Sequence, residues 1–279
     1  MECLACGSHS LIQIATISDI PFSAQPFVDY KPNSDTYLQH RTSLSAYQCT
    51  NCTHVQSTSN LVPYYKDVIS AAALSPTLLS DRDKKVREIC SLLDLYNPSI
   101  YEVGAFKGQY LLHLSSLGFT KLCGLEHSLS SVEDALSAGI QLHHGYLLDT
   151  NISLPSNPSA QIVLCFNFLE HIPDPFRFLQ LIKSLLAADI AYFYFTMPSF
   201  EYISSQNLLQ ELVPDHISYF TPDSLRTLFQ RSNLHIHSLN SINNSNDLEI
   251  IARFERNHIH SISPSPLTLL VDHINSILR

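Results

Sequence analysis

Glycine is scarce in this chain: seven in 279 residues, where ordinary composition would give roughly twenty. Tryptophan is absent and there are only two methionines. Charged residues make up 15%, with 16 basic against 25 acidic and a net charge of −9. That balance excludes a nucleic-acid partner, which would need clustered Lys and Arg. No apolar run approaches the roughly 18–20 residues of a membrane helix, so no membrane partner is expected. The opening Met-Glu-Cys-Leu-Ala-Cys has neither the basic nor the apolar region of a signal peptide. A cytoplasmic protein acting on a small molecule is expected. At 45% hydrophobic residues the chain can bury one full domain plus a small appendage.

The cysteines divide into two groups. Cys3, Cys6, Cys49 and Cys52 form two C-x-x-C pairs, while Cys90, Cys123 and Cys165 stand alone and read as core residues. Two such knuckles can present four thiolates to one zinc ion in a closed, structural site, and Gly7 fits the tight turn after Cys6. The alternatives are a redox C-x-x-C or chance pairing, although a redox motif normally sits singly beside a βαβ unit. The expected organisation is a zinc-binding module over 1–62, a helical connector over 63–95 and a larger domain over 96–279.

From residue 99 onward, strand-like and helical patterns alternate. Strands are expected near 99–103, 121–125, 140–143, 161–166 and 190–196, and helices over 109–117, 130–138 and 175–188. This order implies an α/β fold with a mostly parallel sheet covered by helices on both faces. A helix near 222–232 and a hairpin from 234–239 and 248–254 would add an antiparallel end to the sheet. A last amphipathic helix is expected over 266–278.

Six of the seven glycines, Gly104, Gly108, Gly118, Gly124, Gly139 and Gly145, lie in one window of this alternation. Glycine is retained where backbone must turn left-handed or approach something closely. The first strand runs into Glu102-Val103-Gly104-Ala105-Phe106-Lys107-Gly108, at the carboxyl end where open α/β sheets bind ligands. Phe106 and Gln109 stand where a dinucleotide site would carry its second and third glycines, which argues against NAD chemistry. The second strand ends in Glu126, whose carboxylate can accept both hydroxyls of a ribose. Asp174 before Pro175 reads as a helix N-cap.

These residues resemble the class I S-adenosylmethionine-dependent methyltransferases, with a Rossmann-like sheet. Residues 102–108 look like the first motif of that superfamily, Glu126 like its ribose-binding acid, and Asn167-Phe168-Leu169-Glu170-His171-Ile172-Pro173-Asp174-Pro175 like the segment after its fourth strand. The resemblance implies that Glu102, Gly104, Gly108, Glu126, Tyr146 and Asn167 contact S-adenosyl-L-methionine, with Tyr146 covering the adenine.

A narrower resemblance is to the zinc-containing sugar C-methyltransferases. It rests on the two knuckles, on Tyr64-Tyr65-Lys66-Asp67 in the connection, and on Asp215-His216-Ile217-Ser218-Tyr219-Phe220. It implies His216 as general base removing a proton next to a carbonyl; Asp215 beside it could orient the imidazole or raise its pKa. Asp215 replaces the family's Glu, and the family's C-terminal domain has no counterpart here, a gap that a second copy of the chain in a homo-oligomer could fill. The bland reading of Asp215 and His216 is a capped loop entering a strand, of His171 a supporting role in the cleft, and of Tyr219 simple packing. The competing functional class is a catalytically inactive methyltransferase-fold module kept for binding or assembly.

Overall fold

The computed structural model describes residues 1–21, 41–57, 74–149 and 160–256. The Tyr64-Tyr65-Lys66-Asp67 stretch and the helix expected over 266–278 lie outside these residues.

Three strands begin the chain: β1 (Leu11–Pro21), β2 (Arg41–Cys49) and β3 (Val55–Ser57). Then come α1 (Pro76–Leu93), β4 (Ile100–Val103), α2 (Gln109–Ser116), β5 (Leu122–Glu126), α3 (Leu129–Ser137) and β6 (Leu142–His144). Next are β7 (Ile162–Phe166), α4 (Pro175–Leu185), β8 (Ile190–Pro198), α5 (Phe200–Ser205), β9 (Ser218–Tyr219) and α6 (Pro222–Arg231). The hairpin β10 (His235–Ile242) and β11 (Asp247–Glu255) follows.

Seven strands form the main sheet in the order β10-β11-β8-β7-β4-β5-β6. The five from β6 to β8 are parallel, and β11 lies antiparallel to β8. Strand residues feed two cores in alternation. In β7, Val163 and Cys165 join one face, packed with Phe178, Leu179 and Ile182 of α4 and Leu225, Leu228 and Phe229 of α6. Ile162, Leu164 and Phe166 join the other, packed with Val86 and Ile89 of α1 and Tyr110, Leu111 and Leu114 of α2. Burial on both faces explains why β7 and β8 are continuous apolar runs. The fold is the Rossmann-like α/β arrangement expected, with its antiparallel hairpin.

Local chemistry sets the helix starts. Ser75 accepts from the Leu78 N–H ahead of Pro76, and Asp174 from the Arg177 N–H ahead of Pro175. Thr221 and Ser224 form a reciprocal capping box ahead of Pro222.

A second, antiparallel sheet has the order β1-β2-β3-β9. Its fourth strand comes from the far side of the sequence: Val55 pairs with Tyr219 and Gln56 with Ser218. Neither β9 nor α5 has a counterpart in the periodicity reading. Two residues carry no period, and β9 exists as a strand through its pairing with β3.

Candidate functional site

The carboxyl ends of β4, β5 and β7 open on a cleft. Its lining includes Gly104, Phe106, Glu126, Tyr146, Asn167 and Phe168. The β4–α2 turn is strongly left-handed, with positive φ at Gly104 (73°), Phe106 (48°) and Gly108 (66°). Gly104 is required twice over, because a Cβ there would stand 2.8 Å from the Phe168 ring. The Glu126 carboxylate closes the turn: Oε2 accepts from the Phe106 N–H and Oε1 from the Ser128 N–H, both at 2.8 Å. Burial raises the pKa of Glu126 while these amides oppose the rise.

Four of the six residues expected at the cofactor, Gly104, Glu126, Tyr146 and Asn167, share this cleft. Glu102 and Gly108 stand behind it. A Cβ on Gly108 would meet Ile140 at 3.0 Å, so this glycine lets α2 start against the strand layer. Gly124 serves packing as well, since a Cβ would come within 2.9 Å of the Glu102 carbonyl oxygen.

The Glu102 carboxyl is buried, and burial pushes its pKa up to about 8 against the pull of Arg82. Arg82 comes from α1 and is itself buried, with its guanidinium carbon 3.7 Å from the centre of the Phe166 ring. Sequence reasoning missed Arg82, which falls within a run of charged residues in α1 and looks like part of a solvated face. His127 also lines the cleft, its ring 6.2 Å from those of His144 and Tyr146.

Asp215 and His216 are not part of the cleft lining. They lie next to the short 3-10 turn Leu169–His171 that follows Asn167 and Phe168. The His171 Nδ1 and the Asp215 backbone carbonyl are 2.9 Å apart, and the His171 and His216 rings 4.8 Å. One side-chain nitrogen or oxygen from each of Glu170, His171 and His216 lies within 4.8 Å of the others. Burial keeps both imidazoles neutral, lowering His216 to about 3 and His171 to about 4, and raises Glu170 to about 8. Glu170 Oε2 and Asp215 Oδ1 are buried and accept no hydrogen bond from the described residues. The expectation that Asp215 orients the His216 imidazole is not met by its carboxylate; its backbone carbonyl holds His171 instead. Tyr219 packs, as its bland reading expects, and donates through its hydroxyl to the Val213 carbonyl at 3.1 Å.

The four N-terminal cysteines converge. The Sγ atoms of Cys3 and Cys52 are 3.6 Å apart, as are those of Cys6 and Cys49, and all four lie within 4.8 Å of one another. A disulfide would need about 2.05 Å. Tetrahedral zinc with bonds of about 2.3 Å sets its sulfurs about 3.8 Å apart, so this donor set fits a four-thiolate ion. The hydrogen bond between Cys3 and Cys52 lowers one thiol of the pair, Cys3, and raises the other, while burial raises Cys49.

Comparison with known proteins agrees with this geometry. A family profile described as a methyltransferase domain matches residues 74–239, more than half of the chain. No curated protein matches. Among solved structures, a Clostridium acetobutylicum S-adenosylmethionine-dependent methyltransferase superposes with a TM-score of 0.51 at 11% identity, over 63% of this chain and 92% of the other. A chain of the Haloferax volcanii complex between the Trm112 methyltransferase activator and a methyltransferase gives 0.50 at 17%, over 63% and 95%. At these identities the likeness concerns the fold, and the family follows from the profile match. The chain belongs to the methyltransferase-domain family and is a methyltransferase.

Proposed function

We propose that this enzyme methylates a small metabolite, with a sugar or nucleotide-sugar as the substrate class and carbon as the acceptor atom. One observation carries the cofactor half of the reading: the Glu126 carboxylate and the left-handed Gly104–Phe106–Gly108 turn are joined by a hydrogen bond at one cleft. Gly104 leaves room for the methionine part, Glu126 takes the ribose hydroxyls, Tyr146 covers the adenine, and Asn167 borders the sulfonium end. Glu102 and Gly108 act from behind, fixing the turn. Bound S-adenosylmethionine supplies an electrophilic methyl group on sulfur, so the protein has to align the acceptor with it and exclude water.

For a carbon acceptor, His216 accepts the proton next to the substrate carbonyl. Burial lowers the basicity of this imidazole, to about 3, so it takes the proton only where a neighbouring anion stabilises the imidazolium. The charge so formed would lie within reach of Glu170, whose carboxyl, raised to about 8, would balance it once ionised. Asp215 contributes through its carbonyl, by holding His171. Four thiolates from Cys3, Cys6, Cys49 and Cys52 bind a structural zinc, leaving no open position for chemistry. The chain is thus organised as a zinc module (1–62), a connector (63–95) and the cofactor-binding domain (96–279), all in the cytoplasm.

Titration calorimetry with S-adenosylhomocysteine on zinc-loaded protein tests the cofactor site, and absence of binding refutes it. His216→Asn should retain that binding while methyl transfer to a keto-sugar nucleotide is lost. Unchanged turnover would return His216 to a structural role.

A further inference from the structure

A short, continuous chain of contacts through the Gln56 side chain links the two C-x-x-C knuckles to the segment carrying His216, beside a Thr53–Thr221 hydroxyl contact at 2.6 Å and a His54–Phe220 ring contact at 5.1 Å. Gln56 is buried and faces the first knuckle. Its Oε1 accepts from the Leu4 N–H at 2.9 Å and its Nε2 donates to the Glu2 carbonyl at 3.0 Å. Through its backbone it also belongs to β3, only four residues past Cys52, and there pairs with Ser218 of β9. The next residue continues the attachment, with the Ser57 N–H donating to the Ile217 carbonyl at 2.9 Å. On its other side the same segment is held by the cofactor-side loop, since the Ile217 N–H donates to the Glu170 carbonyl at 2.8 Å. Asn167 and Phe168, just before that loop's turn, line the cleft.

We propose that Gln56 is a positioning residue that couples the four-cysteine site to residues 215–219, so that occupancy of the thiolates by metal fixes where His216 stands. The inference rests on the zinc and His216 roles proposed above. Its physical basis is the small size of β3 and β9. Strands of three and two residues have few ladder bonds of their own and are not stable alone. β3 is held along its other edge by β2, and the knuckles at Cys49–Cys52 and Cys3–Cys6 anchor it further, so β9 pairs with an edge whose place the knuckles help to fix. A metal ion ties both knuckles together, and Gln56 transmits that tie by gripping Glu2 and Leu4 while pairing with Ser218. The zinc module is then part of the active-site scaffold, and zinc need not approach the substrate to control turnover.

Hydrogen exchange on the full-length protein, zinc-loaded and chelator-treated, tests this. Loss of one or two hydrogen bonds should speed exchange in 55–57 and 217–219 by about five- to thirty-fold. Exchange in Leu122–Glu126 and affinity for S-adenosylhomocysteine should not change. Gln56→Met in zinc-loaded protein should reproduce the faster exchange at 217–219 while retaining one zinc per chain. Gln56→Glu, which restores the acceptor for Leu4, should recover part of the protection. Wild-type exchange at 217–219 in either the metal-free protein or Gln56→Met overturns the coupling. Failure to bind one equivalent of zinc refutes the metal reading itself, a result visible by elemental analysis before any exchange is measured. Loss of S-adenosylhomocysteine binding in the untreated protein would instead refute the cofactor site.

Discussion

The Arg82 guanidinium carbon lies 3.7 Å from the centre of the Phe166 ring, placing a buried cation from α1 directly behind the cofactor cleft. The same guanidinium is 5.5 Å from the Tyr110 ring, and its charge opposes the upward drift of the Glu102 pKa. Arg82→Ala should therefore destabilise the fold by about 2 kcal/mol or more, read as a lower denaturant midpoint, because stacking and packing of the long stem are both lost. Arg82→Lys should not restore it, since an ammonium cannot lie flat on the ring. Full stability in the lysine variant would mean that charge alone matters at this position.

Glu102 gives a pH prediction with a defined sign. Its carboxyl has an ordinary value of 4.5 and is raised to about 8 in the folded protein. The folded state holds that proton more tightly than the unfolded one, so the contribution is complete below about 4.5 and is lost as pH rises through about 8. E102Q cannot lose a proton. Relative to wild type it should gain stability steadily between pH 5 and pH 8, measured as a difference in melting temperature. A difference that stays flat across that range contradicts the buried, protonated carboxyl.

Glu126 should matter more for ligand than for fold. In Glu126→Ala the Phe106 and Ser128 amides lose their acceptor, at about 1 kcal/mol each, and the hydrogen bonds to a ribose disappear. A charged hydrogen bond is worth about 1.5–3 kcal/mol, so affinity for S-adenosylhomocysteine should fall roughly 10- to 150-fold by calorimetry. Glu133→Ala, at an exposed site on α3, is the control and should bind like wild type.

Much of this arrangement was legible in sequence, for identifiable reasons. The central strands β7 and β8 are apolar on both faces, and the helices beside them carry three- and four-residue spacings, so local pattern and tertiary role agree. Asp174 before Pro175 marked a helix start. Gly104 and Glu126 could be picked out because they end strands or begin turns, and Tyr146 and Asn167 through the resemblance to class I methyltransferases. What sequence could not reveal depends on distant partners. β9 is defined by β3, more than 150 residues earlier. Arg82 looks like a surface charge until α1 is packed on the sheet. Phe168 reads as one more aromatic, yet its ring is what makes a side chain at position 104 impossible to place.

The paired imidazoles should govern the acid side. His171 and His216 have an ordinary value of 6.5 and are lowered to about 4 and about 3 by burial. The unfolded chain binds their protons first, so their contribution is intact above about 6.5 and is lost as pH falls toward 4. Each neutral buried imidazole can remove up to about 1.4 kcal/mol per pH unit in that window. Glu170, raised to about 8, works in the opposite direction, so the comparison must be between variants. His216→Asn should show a shallower loss of melting temperature than wild type between pH 6.5 and pH 5. An identical slope would mean that His216 is already open to water and protons.

Gly104 tests the contact between turn and cleft. Its φ of 73° alone makes Ala strained by about 1–2 kcal/mol. A Cβ 2.8 Å from the Phe168 ring adds a steric term, and the ring can yield only by moving. Because Phe168 lines the cleft, that movement should also weaken S-adenosylhomocysteine binding, so Gly104→Ala should lower stability and affinity together. Phe168→Ala removes the collision and leaves the backbone strain. In a double-mutant cycle the pair should therefore be less destabilised than the sum of the single changes, with coupling of about 0.5–3 kcal/mol. Strict additivity would show that the ring does not rest on the glycine, and that the backbone conformation alone requires it.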